Sequence, residues 1–161
     1  LPEGWSIFST YLNLENMDIS VALNSIEEQL VIVKDYLGMA YLLEWNYNGI
    51  GDAILGHAYQ IKVNQETVLE FEGDYTSPNE VSIVLPMGWS LLGYLSLNPA
   101  DCVSVFDAIS SEIVLVKDYL GNAYLPNWNF NGIGDLEAGK GYQIKMNSSQ
   151  ILQYNSNEAG Y

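Results

Sequence analysis

Runs of alternating and unbroken apolar residues dominate this chain, and they occur twice. Tyr142-Gln143-Ile144-Lys145-Met146 alternates cleanly and predicts a strand, as does Tyr59-Gln60-Ile61-Lys62-Val63. Ile113-Val114-Leu115-Val116 is an apolar, largely β-branched run of the kind found in buried strands. Asp118-Tyr119-Leu120-Gly121-Asn122 then reverses the chain, with Gly121 able to take a positive φ, and Ala123-Tyr124-Leu125 returns as the hairpin partner. A second hairpin is expected between 142–146 and Ile151-Leu152-Gln153-Tyr154, with its counterpart at 59–63 and Val68 to Phe71. Val81 to Leu97 is apolar but broken by Pro86 and Gly88, so it predicts a bent strand or two short ones. Only one segment per copy has a helical period. Cys102, Val105, Phe106 and Ile109 follow the N-cap candidate Asp101, and Ile19, Ala22, Leu23 and Ile26 follow Asp18. That spacing predicts a helix of about three turns.

The duplication is explicit in the residues. Residues 1–73 align with 85–156 with a single one-residue gap near Thr10, and nearly half of the aligned positions are identical. Gly4-Trp5-Ser6 matches Gly88-Trp89-Ser90, and Val33 to Gly38 matches Val116 to Gly121. Such a repeat fixes the unit of folding. The chain divides into repeat 1 (1–73), a linker and lead-in strand (74–84), repeat 2 (85–156) and a tail (157–161). A unit of this size has a marginal core, so the copies should pack together as a pseudo-two-fold pair. The fold class expected is mainly β (α+β), each repeat being a small antiparallel sheet or partly open barrel with one short helix. Copy one has no lead-in strand before Leu1, as in a fragment of a longer protein with more repeats.

Charge narrows the partners. The formal charge is −15, with no arginine and five lysines. That balance disfavours nucleic acid and anionic membrane surfaces. Lys34, Lys62, Lys117 and Lys145 stand at matched positions, where they are expected to blunt strand edges or pair with carboxylates. Cys102 is the only cysteine, so no intrachain disulfide can form; Ile19 is its counterpart, and a core role follows. No stretch is long and apolar enough to insert in a membrane.

The candidate site is a loop that occurs once per copy: Trp45-Asn46-Tyr47-Asn48-Gly49-Ile50-Gly51-Asp52, and its match from Trp128 to Asp135. Two chemistries compete there with a plain turn. Asn46, Asn48 and Asp52, or Asn129, Asn131 and Asp135, could offer oxygens to calcium, the one cofactor considered. Alternatively Trp45 and Trp128 could be exposed platforms on which a sugar face stacks while neighbouring amides bind hydroxyls. As a turn, the Asn side chains would bond the backbone. Trp5 and Trp89 lie inside apolar runs and are expected in the core. Catalysis is poorly supported. The single histidine, His57, is matched by Lys140, and the acidic pairs Glu27-Glu28 and Glu70/Glu72 are matched by Ser110-Ser111 and Gln153/Asn155. Gly139-Lys140-Gly141 lacks the spacing of a phosphate loop.

Taken together, Gly-Trp-Ser, Val-Lys-Asp, Gly-x-Ala-Tyr-Leu, Trp-Asn-Phe/Tyr-Asn-Gly-Ile-Gly-Asp and Gly-Tyr-Gln-Ile-Lys resemble repeats of large secreted or surface proteins of marine bacteria, and stretches of marine phage and environmental sequences. They are more distantly similar to Gly-Trp-Asn-Leu-Ile-Ser and Gly-Tyr-Trp-Val repeats of bacterial and archaeal surface-layer proteins. The resemblance covers nearly all of both copies. It implies a β-rich module, extracellular, on a cell surface or on a virion, with no established activity. Leu43 against Pro126, and Ala58 against Gly141, mark copy one as the degenerate copy. Two functions follow: a non-enzymatic spacer or adhesion segment contacting a neighbouring repeat or surface protein, or a glycan-binding module with one aromatic loop site per repeat.

Overall fold

The computed structural model describes residues 1–155; the last residue assigned to repeat 2 and the tail 157–161 lie outside them. The first part of the chain forms β1 (Gly4–Phe8), β2 (Leu12–Leu14), α1 (Ile19–Ala22), β3 (Leu30–Lys34), β4 (Ala40–Leu42), β5 (Tyr47–Asn48), β6 (Tyr59–Val63) and β7 (Gly73–Tyr75). The second forms β8 (Ile83–Leu85), β9 (Gly88–Gly93), β10 (Ala100–Asp101), α2 (Cys102–Phe106), β11 (Ile113–Lys117), β12 (Ala123–Leu125), β13 (Phe130–Asn131), β14 (Asp135–Leu136), β15 (Gly141–Met146) and β16 (Gln150–Leu152). The protein is mainly β, and its strand pairs are antiparallel.

Each half builds a five-stranded sheet, β1-β6-β3-β4-β5 in the first and β9-β15-β11-β12-β13 in the second. The register also matches: Val33 opposes Ile61 and Val116 opposes Ile144, and each sheet slips at the start of its third strand, between Leu30 and Ile32 and between Ile113 and Leu115. Alternation sends Val33, Tyr59, Ile61 and Val63 inward onto Ile19, Leu23 and Ile26. In the second half Val116, Tyr142, Ile144 and Met146 meet Cys102, Phe106 and Ile109.

The helices are shorter than their period predicts. Asp18 and Asp101 do cap them, accepting from the Ser20 and Ser104 backbone N–H groups. After one turn, however, each tightens into a 3₁₀ segment, Asn24–Ile26 and Asp107–Glu112. Asn, Ser and Asp compete with the helix for backbone hydrogen bonds, and the i+3 turn still delivers Ile26 and Ile109 to the core.

The second expected hairpin does not form. Both edges of β15 are taken, by β11 and β9, so β16 leaves the sheet and pairs with β8. In the first half β6 is likewise flanked by β3 and β1, and 68–71 contains no strand. Leu1 and Thr67 keep only a two-bond remnant of the β8–β16 pairing, each N–H donating to the other's carbonyl at 2.7 and 3.0 Å. The segment 74–84 is more than a lead-in, because β7 turns back to pair with β2 before β8 begins.

The halves meet at the edge strands β1 and β9. Ser9 N–H donates to Gly139 carbonyl and Gly93 N–H to Gly56 carbonyl, both at 2.9 Å. Ser9 and Gly93 are matched positions, as are Gly56 and Gly139, so the two bonds are reciprocal. Ile7, Ala58 and Leu91 form a small apolar cluster beside them.

Candidate aromatic loops and junction clefts

In each loop a 3₁₀ turn, Leu43–Trp45 or Pro126–Trp128, ends on an asparagine in the left-handed region, Asn46 (φ 49) or Asn129 (φ 51). Asparagine tolerates that conformation better than most residues. The turn holds Trp45 and Trp128 outward, with 77% and 80% of their surface exposed. Asn48 Oδ1 then accepts from Ile50 and Gly51 N–H, and Asn131 Oδ1 from Ile133 and Gly134 N–H, at 2.9–3.1 Å. These are Asx turns, and they commit the side-chain oxygens to the backbone. The Asn48 and Asn131 amides reach back to the helix caps, donating to Asp18 at 3.2 Å and Asp101 at 3.3 Å. Asp18 is held below the usual carboxylate range, first by the Ser20 hydroxyl and then, against some desolvation, by the backbone N–H of Ser20. Asp52 and Asp135 sit on the strand bridges that close the loops against Asp18 and Asp101, with exposed side chains. The loops therefore bring Asn48 with Asp18 and Asn131 with Asp101, while Trp45, Asn46, Trp128 and Asn129 face solvent. Among the described residues no three His, Cys, Asp or Glu side chains gather.

Trp5 and Trp89 are not core residues; each is 45% exposed. Their strands alternate Trp out and Ser in, so the apolar run covers two faces rather than one. The outward rings carry lysines: Lys34 Nζ lies 4.9 Å from the Trp5 ring centroid and Lys117 Nζ 5.2 Å from that of Trp89, with Lys145 at 5.8 Å. The lysines do not blunt edges either. Lys34, Lys62, Lys117 and Lys145 all stand on interior strands, and among the described residues the only ion pair is Lys140–Glu137.

These side chains border two clefts at the junction that the single-repeat view missed. One, of about 460 Å³, runs from Trp5, Lys34 and Gln60 of the first half to Lys117, Tyr119 and Gln143 of the second. The other, of about 220 Å³, runs from Trp89 and Gln143 to Lys34, Tyr36 and Gln60. Matched residues exchange roles between them. The signal was present in the identical blocks, which keep polar Lys-Asp-Tyr and Gln as faithfully as core residues; that they converge depends on docking, which no local pattern states.

Two further titratable groups are shifted without lining either cleft. Burial pushes the Cys102 thiol up to about 12, with Asp101 adding to it. Burial holds His57 below its ordinary value, opposed by Asp35; its ring meets Tyr36 edge-on at 6.4 Å. Among the described residues no helix is long and apolar enough to cross a membrane. No family model, curated protein or solved structure matches the chain.

Proposed function

We propose that this chain is a non-enzymatic recognition module of a surface or virion protein that binds glycans through one aromatic loop in each half. The observation that carries the reading is the exposure of Trp45 and Trp128, at 77% and 80%. An indole on a capped, hydrogen-bonded loop costs surface tension with water and gains no packing, whereas a sugar face would cover it. Tyr47 and Phe130, also exposed, supply a second ring two residues along each loop. On this reading the two halves are duplicated units packed as a pseudo-two-fold pair. The common strand order and the reciprocal Ser9–Gly139 and Gly93–Gly56 bonds support it. Two loops on one body raise avidity for a polymer that reaches both.

The spacer reading has its own support. Val84 and Ile151 oppose each other on β8 and β16 with both side chains exposed, a place where an adjacent module could pack.

Affinity electrophoresis against a panel of polysaccharides tests the first reading. Retardation by a polymer should be lost in Trp45→Ala/Trp128→Ala while the melting curve stays within about 0.5 kcal/mol of the parent, as for surface substitutions. No retardation by any polymer would leave the spacer role.

A further inference from the structure

We propose that the two junction clefts form one groove for an acidic glycan, a carboxylated or sulfated polysaccharide, distinct from the Trp45 and Trp128 loops. Three observations converge on that ligand. First, the groove holds cations that form no ion pair among the described residues. In a chain of 20 acidic residues and five lysines, Lys34 and Lys117 lie over indole rings rather than beside carboxylates. The acids that line the clefts, Asp35 and Asp118, are already engaged. Asp35 Oδ1 accepts from Leu37 and Met39 N–H, and Asp118 Oδ1 from Leu120 and Asn122 N–H.

Second, Gln60 and Gln143 line both clefts, and neither amide side chain has a hydrogen-bond partner among the described residues. Both are only partly exposed. Half-buried amides with unused donors and acceptors suit hydroxyl recognition. Third, the clefts share their middle and differ at their ends: Lys34, Gln60 and Gln143 border both, with Trp5 and Lys117 completing one and Trp89 the other. A sugar face can stack on each indole while its carboxylate or sulfate meets the lysine over that ring. Overall repulsion from a charge of −15 does not prevent this, because at about 0.15 M salt fields fade over roughly 8 Å and only the charges bordering the clefts act at full strength.

The test is calorimetric titration of the whole chain with three hexasaccharides, a uronate, a sulfated galactan and a neutral glucan, in about 0.15 M salt. One anionic hexamer should bind, the neutral one should not, and the anion that binds identifies carboxylate or sulfate as the partner. Lys34→Gln and Lys117→Gln should each weaken binding about tenfold, the equivalent of about 1.4 kcal/mol. Gln60→Ala should weaken it as well, without altering the salt dependence. The titrations are run in the Trp45→Ala/Trp128→Ala background, so that glycan binding by the aromatic loops is removed and the remaining heat belongs to the groove. Absence of binding by both anionic hexamers, equal binding of the neutral one, or indifference to both lysine substitutions would overturn the proposal. Melting curves of each variant exclude loss of fold as the cause.

Discussion

Ala58 and Gly141 occupy matched positions in the two halves and face each other across the junction: a Cβ placed on Gly141 would lie 2.5 Å from that of Ala58 and 2.4 Å from Cγ2 of Ile7. The alanine–glycine difference is therefore a packing requirement, not decay of one copy. Two methyl groups do not fit where one does. Ser9 and Gly93 repeat the relationship, since a Cβ on Gly93 would come within 2.7 Å of the Ser9 Cβ. Gly141→Ala should destabilise by about 1–3 kcal/mol, the usual cost of overpacking. Adding Ala58→Gly should recover part of the loss, with Ile7 still in the way. Urea unfolding of the single and double variants measures it, and a wild-type midpoint for Gly141→Ala would remove the argument.

Asp101 caps α2 and also receives the Asn131 amide, so it couples the helix to the aromatic loop. Asp101→Ala should cost about 1 kcal/mol through the cap alone. Asp101→Ser should restore the cap without the loop tie, leaving Trp128 more mobile at near-parental stability. Thermal melting and fluorescence anisotropy read the two effects separately.

His57 links stability to pH. Its folded-state proton affinity is lowered by burial, so above about pH 6.5 folded and unfolded chains both hold a neutral ring. As pH falls below that value the unfolded chain takes up the proton first, and stability declines until the folded ring protonates too. The melting temperature should drop between about pH 7.5 and 5.5, and the drop should shrink in His57→Gln. Parallel curves for the two proteins would show that His57 does not contribute.

The Cys102 thiol is fully buried and its ionisation is pushed up to about 12. It should not react with a disulfide reagent at neutral pH until denaturant is added, because the thiolate is the nucleophile. Stoichiometric labelling of the native protein would place Cys102 at the surface.

Local chemistry foretold much of this fold. Asp18 and Asp101 as caps, the Gly38 and Gly121 turns with positive φ, and the β3–β4 and β11–β12 hairpins follow from residues close in sequence. Competition between distant partners did not show. β16 reads as the natural mate of β15, yet β9 occupies that edge. Trp5 and Trp89 read as core because their neighbours are apolar, while alternation turns the indoles outward. The aromatic loops were visible because each lies within one stretch of chain. The clefts were hidden because Trp5 and Tyr119 become neighbours only through the junction.

That junction also orders events in time. The Ser9 hydroxyl donates to the Lys140 carbonyl across 131 residues of chain, among the longest separations any bond here spans. Closing so long a loop costs entropy before any contact returns it, and such contacts form late. Newly made chain would complete its two sheets first and seal the Ile7–Ala58–Leu91 seam last. Amide protons of Ser9 and Gly93 should then exchange with solvent sooner than those inside either sheet, the seam parting before the sheets themselves open.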